Sequence, residues 1–191
     1  MGFTAAELAQ YEGSQIDDLL PQDLRLLFVG INPSLWSAAV NAHFARPGNR
    51  FWPALAEAGI TPRVINASGG MSADDVNVLS RAGVGITNLV NRATARAAEL
   101  DRMELRVGVQ RLERLVVEHR PRVVAVAGIT AFRTAFERPK AQVGPQGEDF
   151  AGATLFVVPN PSGLNAHETV LTLATAYRAA ADAAGVADCR R

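Results

Sequence analysis

This chain is short of almost everything that covalent or metal chemistry draws on. It has one cysteine among its 191 residues, Cys189, which excludes a disulfide framework, a four-cysteine zinc site and an iron–sulfur cluster. A reducing, cytoplasmic setting is the expectation that follows. Lysine is equally scarce: of nineteen basic Lys and Arg residues only Lys140 is lysine. No Gly-Lys-Ser/Thr triplet exists, so a Walker A loop is excluded. Lys140 lies in the polar, Pro/Gly-rich stretch "ERPKAQVGPQGEDF", expected to be a loop and a poor setting for a buried Schiff-base amine. No apolar run approaches the roughly 20 residues of a membrane helix. The opening "MGFTAAELAQYEG" has neither the basic nor the apolar region of a secretory signal. Net charge is zero, so no global field argues for a nucleic-acid partner.

What is present is a globular composition, 48% hydrophobic and 20% charged, with enough length for one core. Strand and helix patterns alternate. Apolar, β-branched runs at 24–30, 84–90, 122–128 and 153–159 read as strands. Between them, 50–59, 72–83, 99–121, 129–137 and 168–185 carry helical spacing. Ser72 and Asn49 are expected as helix caps, Gly83 and Pro121 as stops. The pattern predicts a single α/β domain over 1–191, a four-stranded parallel sheet between two helical layers. Ligands bind such sheets beyond the carboxyl ends of the strands.

Two strands end in Asn-Pro, at Asn32-Pro33 and Asn160-Pro161. Proline fixes its own φ and keeps the preceding residue extended, so each amide is held at the binding edge. An isolated Asn-Pro is an ordinary turn whose amide bonds local backbone; two at one edge suggest a shared site. Asn165 and Glu168 have capping-box spacing ahead of the last helix, where an anion would be favoured. Leu164 beside them either folds into the core or acts as a wedge between bases. Arg46 and Arg50 flank an aromatic segment and are expected to contact a phosphate backbone, while Phe51 and Trp52 are expected in the core.

The segments "GINPS", "HFARPGNRFW" and "NPSGLN" resemble the signatures of the mismatch-specific uracil/thymine-DNA glycosylase family, within the uracil-DNA glycosylase superfamily. The resemblance spans about residues 24 to 180 and implies the superfamily's three-layer fold. It implies double-stranded DNA carrying G:U or a related lesion as partner, and a monomer without metal or cofactor. It assigns Asn32 to the attacking water, Phe44 to stacking on the extruded base, and Ile31 to a backbone contact with the base edge. Ser37 falls near the pyrimidine 5-position, where a thymine methyl would be crowded. Asn160 would border the pocket. Ser162, Gly163, Leu164 and Asn165 match the segment that enters the duplex. Asn88 and His43 resemble the thymine-DNA glycosylase branch; His43 fits a pocket-edge bond, a phosphate contact or simple packing.

The chain also departs from the pattern. Asn91 stands where the family often has Asp or Glu, and Ser34 replaces a glycine. An asparagine orients water but is no base at neutral pH, so slow hydrolysis without a lyase step is expected. Asn91 leaves open a mismatch-binding protein with little catalysis. Hypoxanthine, an etheno adduct or thymine remain as alternative targets, and hydrolysis of free nucleotides is a further reading. The role of Trp36 is open.

Overall fold

The strand residues form their sheet where the alternation of apolar side chains lets both faces be covered. In the computed structural model, which describes residues 2–190, β1 (Leu26–Gly30), β2 (Val84–Asn88), β3 (Val123–Ala127) and β5 (Ala153–Val158) run parallel. Leu26 and Phe28 face one layer, with Phe51, Leu55, Leu173 and Tyr177. Leu27 and Val29 face the other, with Leu105, Leu112, Val116 and Phe132. The first layer is built from α3 (Phe51–Glu57), α4 (Ala73–Ala82) and α7 (Val170–Ala184), the second from α5 (Arg102–His119) and α6 (Ile129–Ala135). Two short helices, α1 (Ala5–Ala9) and α2 (Leu35–Ala39), pack on each other beside the end of β1.

With β4 (Gly144–Phe150) the sheet has five strands, in the order β2-β1-β3-β5-β4, rather than the expected four. The extra one pairs antiparallel with β5 and carries a register shift between Pro145 and Asp149. Its sequence, GPQGEDF, was expected to be a loop. An edge strand bonds on one side only, so it tolerates a proline, glycines and mostly exposed polar side chains that a central strand would not.

Helix ends follow local chemistry. Ser72 and Asp75 form a capping box on α4, which stops at Gly83 with φ 68°. Asp101 and Glu104 do the same for α5, which ends at Arg120 before Pro121. The expected Asn165–Glu168 box does not form. α7 is capped by Thr169, whose hydroxyl accepts from the Thr172 amide, so residues 160–168 remain a loop. Asn49 accepts from the Phe51 amide at 2.9 Å, although Arg50 is the residue at the cap position. Among the described residues no helix is long and apolar enough to cross a membrane.

Candidate active site

The carboxyl ends of β1, β2, β3 and β5 open into one cavity of about 230 Å3. It is lined by Ile31, Asn32, Ser37, His43, Phe44, Asn88 and Asn160, with Arg46, Ser162 and Leu164 at the same opening. Two segments far apart in sequence, 31–49 and 160–164, therefore meet as the paired Asn-Pro loops suggest.

Asn32 leaves β1 with its amide already committed on one side. Nδ2 donates to the Arg92 carbonyl at 2.9 Å, to Thr94 Oγ1 at 2.7 Å and to the Pro33 carbonyl at 3.2 Å. A carbonyl only accepts, so the nitrogen must be the atom that faces Arg92. The Thr94 hydroxyl spends its proton on the Arg96 carbonyl at 2.9 Å, which leaves a lone pair for Asn32. Among the described residues no donor meets Oδ1, which is then the side chain's open acceptor. Thr94 lines the cavity too; it went unnoticed in the sequence, where only the two asparagines of "TNLVNRAT" attract notice.

Phe44 forms one wall. Its ring stacks on Phe51 with centroids 4.0 Å apart and planes at 21°. Phe51 is fully buried and in turn meets Phe28 edge-on at 5.3 Å. The platform is thus rooted in the core. Phe44 is held at φ 53°, a left-handed conformation that costs a bulky residue on the order of 1–3 kcal/mol and concentrates at functional sites.

Asn88 and His43 form a buried pair below. His43 Nε2 lies 3.0 Å from the Asp17 carbonyl, and Nδ1 lies 3.3 Å from Asn88 Nδ2. The Asp17 carbonyl can only accept, so Nε2 carries the proton and Nδ1 accepts from Asn88. Burial lowers the imidazole pKa to about 4, against the opposing pull of the Asp17 bond and the Asp18 charge. His43 is therefore neutral at pH 7 and 2% exposed, which overturns a phosphate contact for it. With Nδ2 spent on His43, Asn88 offers Oδ1. That oxygen sits where β1 has Gly30: a Cβ there would fall 2.4 Å from it and 3.2 Å from Phe44 Cζ. Behind this pair Arg111 donates to the Asn88 carbonyl at 3.0 Å and bonds Asp18, which also accepts from Thr87 Oγ1 at 2.6 Å.

Ser37 is buried, with Oγ 3.1 Å from Ser34 Oγ and 3.3 Å from the Ala45 amide that donates to it. Ser34 caps α2, its hydroxyl accepting from the Ser37 amide. Among the described residues that line the cavity there is no Asp, Glu, Lys or Cys.

The uracil DNA glycosylase superfamily model matches residues 18–183, a span that holds every strand and all of the cavity lining but Ile16. The chain belongs to that superfamily. Its fold is similar to the solution NMR structure of a Methanosarcina acetivorans protein provisionally named a uracil DNA glycosylase. The TM-score is 0.61 at 16% identity, over 91% of this chain and 98% of that one. The superfamily's chemistry is that of DNA glycosylases, hydrolysis of the bond between base and deoxyribose.

Three expectations about the site need correction. Asn91 does not line the cavity. Its Nδ2 donates to the Ile16 carbonyl at 2.8 Å and its Oδ1 accepts from the Ile16 amide at 3.3 Å. It pins a segment near the N-terminus, and Ile16 itself, 3% exposed, becomes part of the cavity wall. Arg50, expected on DNA phosphates, turns inward. Nη1 donates to the Glu168 carbonyl and Nη2 to the carbonyls of Ser162 at 2.5 Å and Asn165 at 2.6 Å. Asn165 neither caps a helix nor leaves its amide free: it donates to the Asn160 carbonyl at 3.1 Å and accepts from the His167 amide at 3.3 Å.

The other positions are simpler. Asn160 lines the cavity and folds its own turn, with Oδ1 accepting from the Ser162 amide at 3.0 Å. Arg46 is exposed at the opening, and no intramolecular hydrogen bond or ion pair of its side chain is formed among the described residues. Leu164 is 79% exposed, so it does not fold into the core. Gly163 packs so closely on Gly48 that a Cβ would fall 2.7 Å from its carbonyl oxygen. Trp36 lies outside the cavity, donating to the Ser68 carbonyl at 2.9 Å and meeting Phe3 edge-on at 4.9 Å.

Proposed function

We propose that this glycosylase flips uracil out of duplex DNA, with a preference for G:U mispairs, and hydrolyses its N-glycosidic bond as a monomer with no metal. The observation that carries the reading is the pinned Asn32 amide. Three acceptors hold its nitrogen, so Oδ1 keeps one orientation at a cavity whose wall is a stacking ring. In the proposed reaction Oδ1 accepts a hydrogen bond from water poised at the sugar C1′. The water oxygen bonds C1′ as the C1′–N1 bond breaks. The bonding pair leaves with the base as its anion, and the water proton passes to solvent. The base stacks on Phe44, and Asn88 Oδ1 accepts from its N3–H. Cytosine presents a lone pair at that ring position and is disfavoured against an unpaired acceptor. Leu164 enters the stack the base has left, and Arg46 meets a phosphate. A mispaired base is the least costly to extrude, which gives the G:U preference.

The test is base release from G:U, A:U, G:T, hypoxanthine and etheno-adduct duplexes and their single strands, read as alkali-labile breaks. Release from G:U above the others is expected, and no release from G:U overturns uracil as the substrate. Hypoxanthine also presents a ring N–H, so release from it alone would keep the pocket chemistry and change the target. The absence of any carboxylate among the described cavity residues favours a second reading, a mismatch binder with little turnover. That reading predicts tight G:U binding with no break at excess protein.

A further inference from the structure

Arg50 does more than fill space at the start of α3. Its side chain bonds the carbonyls of Ser162, Asn165 and Glu168, and its backbone amide donates to the Pro161 carbonyl at 3.0 Å. Four carbonyls between 161 and 168 therefore converge on one residue. Nε is buried, and among the described ion pairs none involves Arg50. The hydrogen-bond partners of the guanidinium are carbonyls of the loop. Those carbonyls belong to a segment with no regular secondary structure and with an exposed leucine at its tip. Its other footing is the close approach of Gly163 to Gly48, two residues before Arg50.

We propose that Arg50 is a positioning residue for the duplex-entering loop: it straps residues 161–168 to the start of α3 and so sets where Leu164 stands relative to the base pocket. The next residue, Phe51, is the ring beneath Phe44. The strap thus ties the wedge and the stacking platform to one short stretch of chain, and base and wedge keep a set spacing. A planar guanidinium with five donors spans three carbonyls; the compact lysine ammonium, on a shorter reach, does not. The inference rests on the DNA glycosylase reading for its purpose, but the strap itself is testable without DNA.

Three variants of the full chain decide it: Arg50→Lys, Arg50→Ala and Arg46→Ala. In the free protein, amide exchange at Ser162, Leu164, Asn165 and His167 should quicken at least tenfold in both Arg50 variants, and not in Arg46→Ala. Unchanged exchange in Arg50→Lys overturns the strap whatever the protein does to DNA. On a G:U duplex, both Arg50 variants should lose roughly ten- to a hundredfold in kcat/KM through misplacement of the loop. The slope of log binding constant against log salt should stay at the wild-type value in Arg50→Lys and Arg50→Ala, and fall by about 0.9 in Arg46→Ala, the loss of one phosphate contact. An Arg50→Lys protein that matches wild type in exchange and turnover, with a reduced salt slope in Arg50→Ala, would make Arg50 a phosphate contact instead. Quickened exchange in the Arg50 variants, with a wild-type protein that releases no base from any duplex, would leave the strap standing and overturn the proposed function.

Discussion

Acid should destabilise this protein through His43 in a window set by burial. The imidazole is 2% exposed and has its pKa lowered from 6.5 to about 4, chiefly by loss of hydration, with the neighbouring Arg111 charge acting in the same direction and Asp18 against it. Above pH 6.5 the ring is neutral in both folded and unfolded chains and contributes nothing to pH dependence. Between 6.5 and 4 the unfolded chain takes up a proton that the folded one refuses, so stability falls as pH drops and the loss is complete below about 4. That shift corresponds to about 3 kcal/mol, a large share of the roughly 5–15 kcal/mol that holds a domain together. Protonation would also remove the Nδ1 lone pair that accepts from Asn88, so the pocket amide should lose its orientation in the same window. Urea unfolding of wild type and His43→Gln at pH 7, 6, 5 and 4 isolates the effect, because the carboxylates titrate alike in both. The difference between the two should shrink by about 3 kcal/mol from pH 7 to pH 4. Parallel curves over that range would refute a neutral, buried His43.

Asn32→Ala should cut base release by about a hundredfold or more while leaving G:U binding within a fewfold, read by single-turnover kinetics and gel shift; unaffected release would remove Asn32 from the chemistry. Asn91→Asp should give no gain in turnover and should lower stability by about 1–3 kcal/mol at pH 7, because a carboxylate oxygen would face the Ile16 carbonyl where an N–H now donates. Faster release with an unchanged Tm would mean that position 91 reaches the attacking water after all. Gly30→Ala should cost about 1–3 kcal/mol by overpacking and weaken base release, since the added Cβ lands 2.4 Å from Asn88 Oδ1; a variant with wild-type melting and turnover would refute the close approach.

Much of the architecture was legible from local pattern. Four β-branched runs, the Ser72 and Gly83 helix ends and the paired Asn-Pro loops are short-range signals, and each reports on its own neighbourhood. The same kind of reading missed β4, because an edge strand needs neither an apolar run nor freedom from proline. It also misplaced the start of the last helix: Asn165 and Glu168 have capping-box spacing, but Thr169 and Thr172 have a working alternative four residues on.

For the site, residue types and their order along the chain pointed to a shared edge, to Asn32 as the amide at the end of β1 and to Phe44 as a flat surface beside it. They could not say what each side chain spends its hydrogen bonds on. Asn88 and Asn91 are three residues apart and chemically identical. Asn88 is the last residue of β2, held beside Gly30 in the sheet, and meets the cavity. Asn91 lies past the strand end and is consumed by Ile16, 75 residues away in sequence. Arg46 and Arg50 read alike as candidates for phosphate, yet one has no side-chain partner among the described residues and the other, half-buried, is held by carbonyls more than 110 residues distant. Sequence determined which chemical groups arrive at the edge of this sheet. Tertiary structure decided which of them stay available, because a polar side chain's partners are chosen by long-range packing and each donor or acceptor can be spent only once.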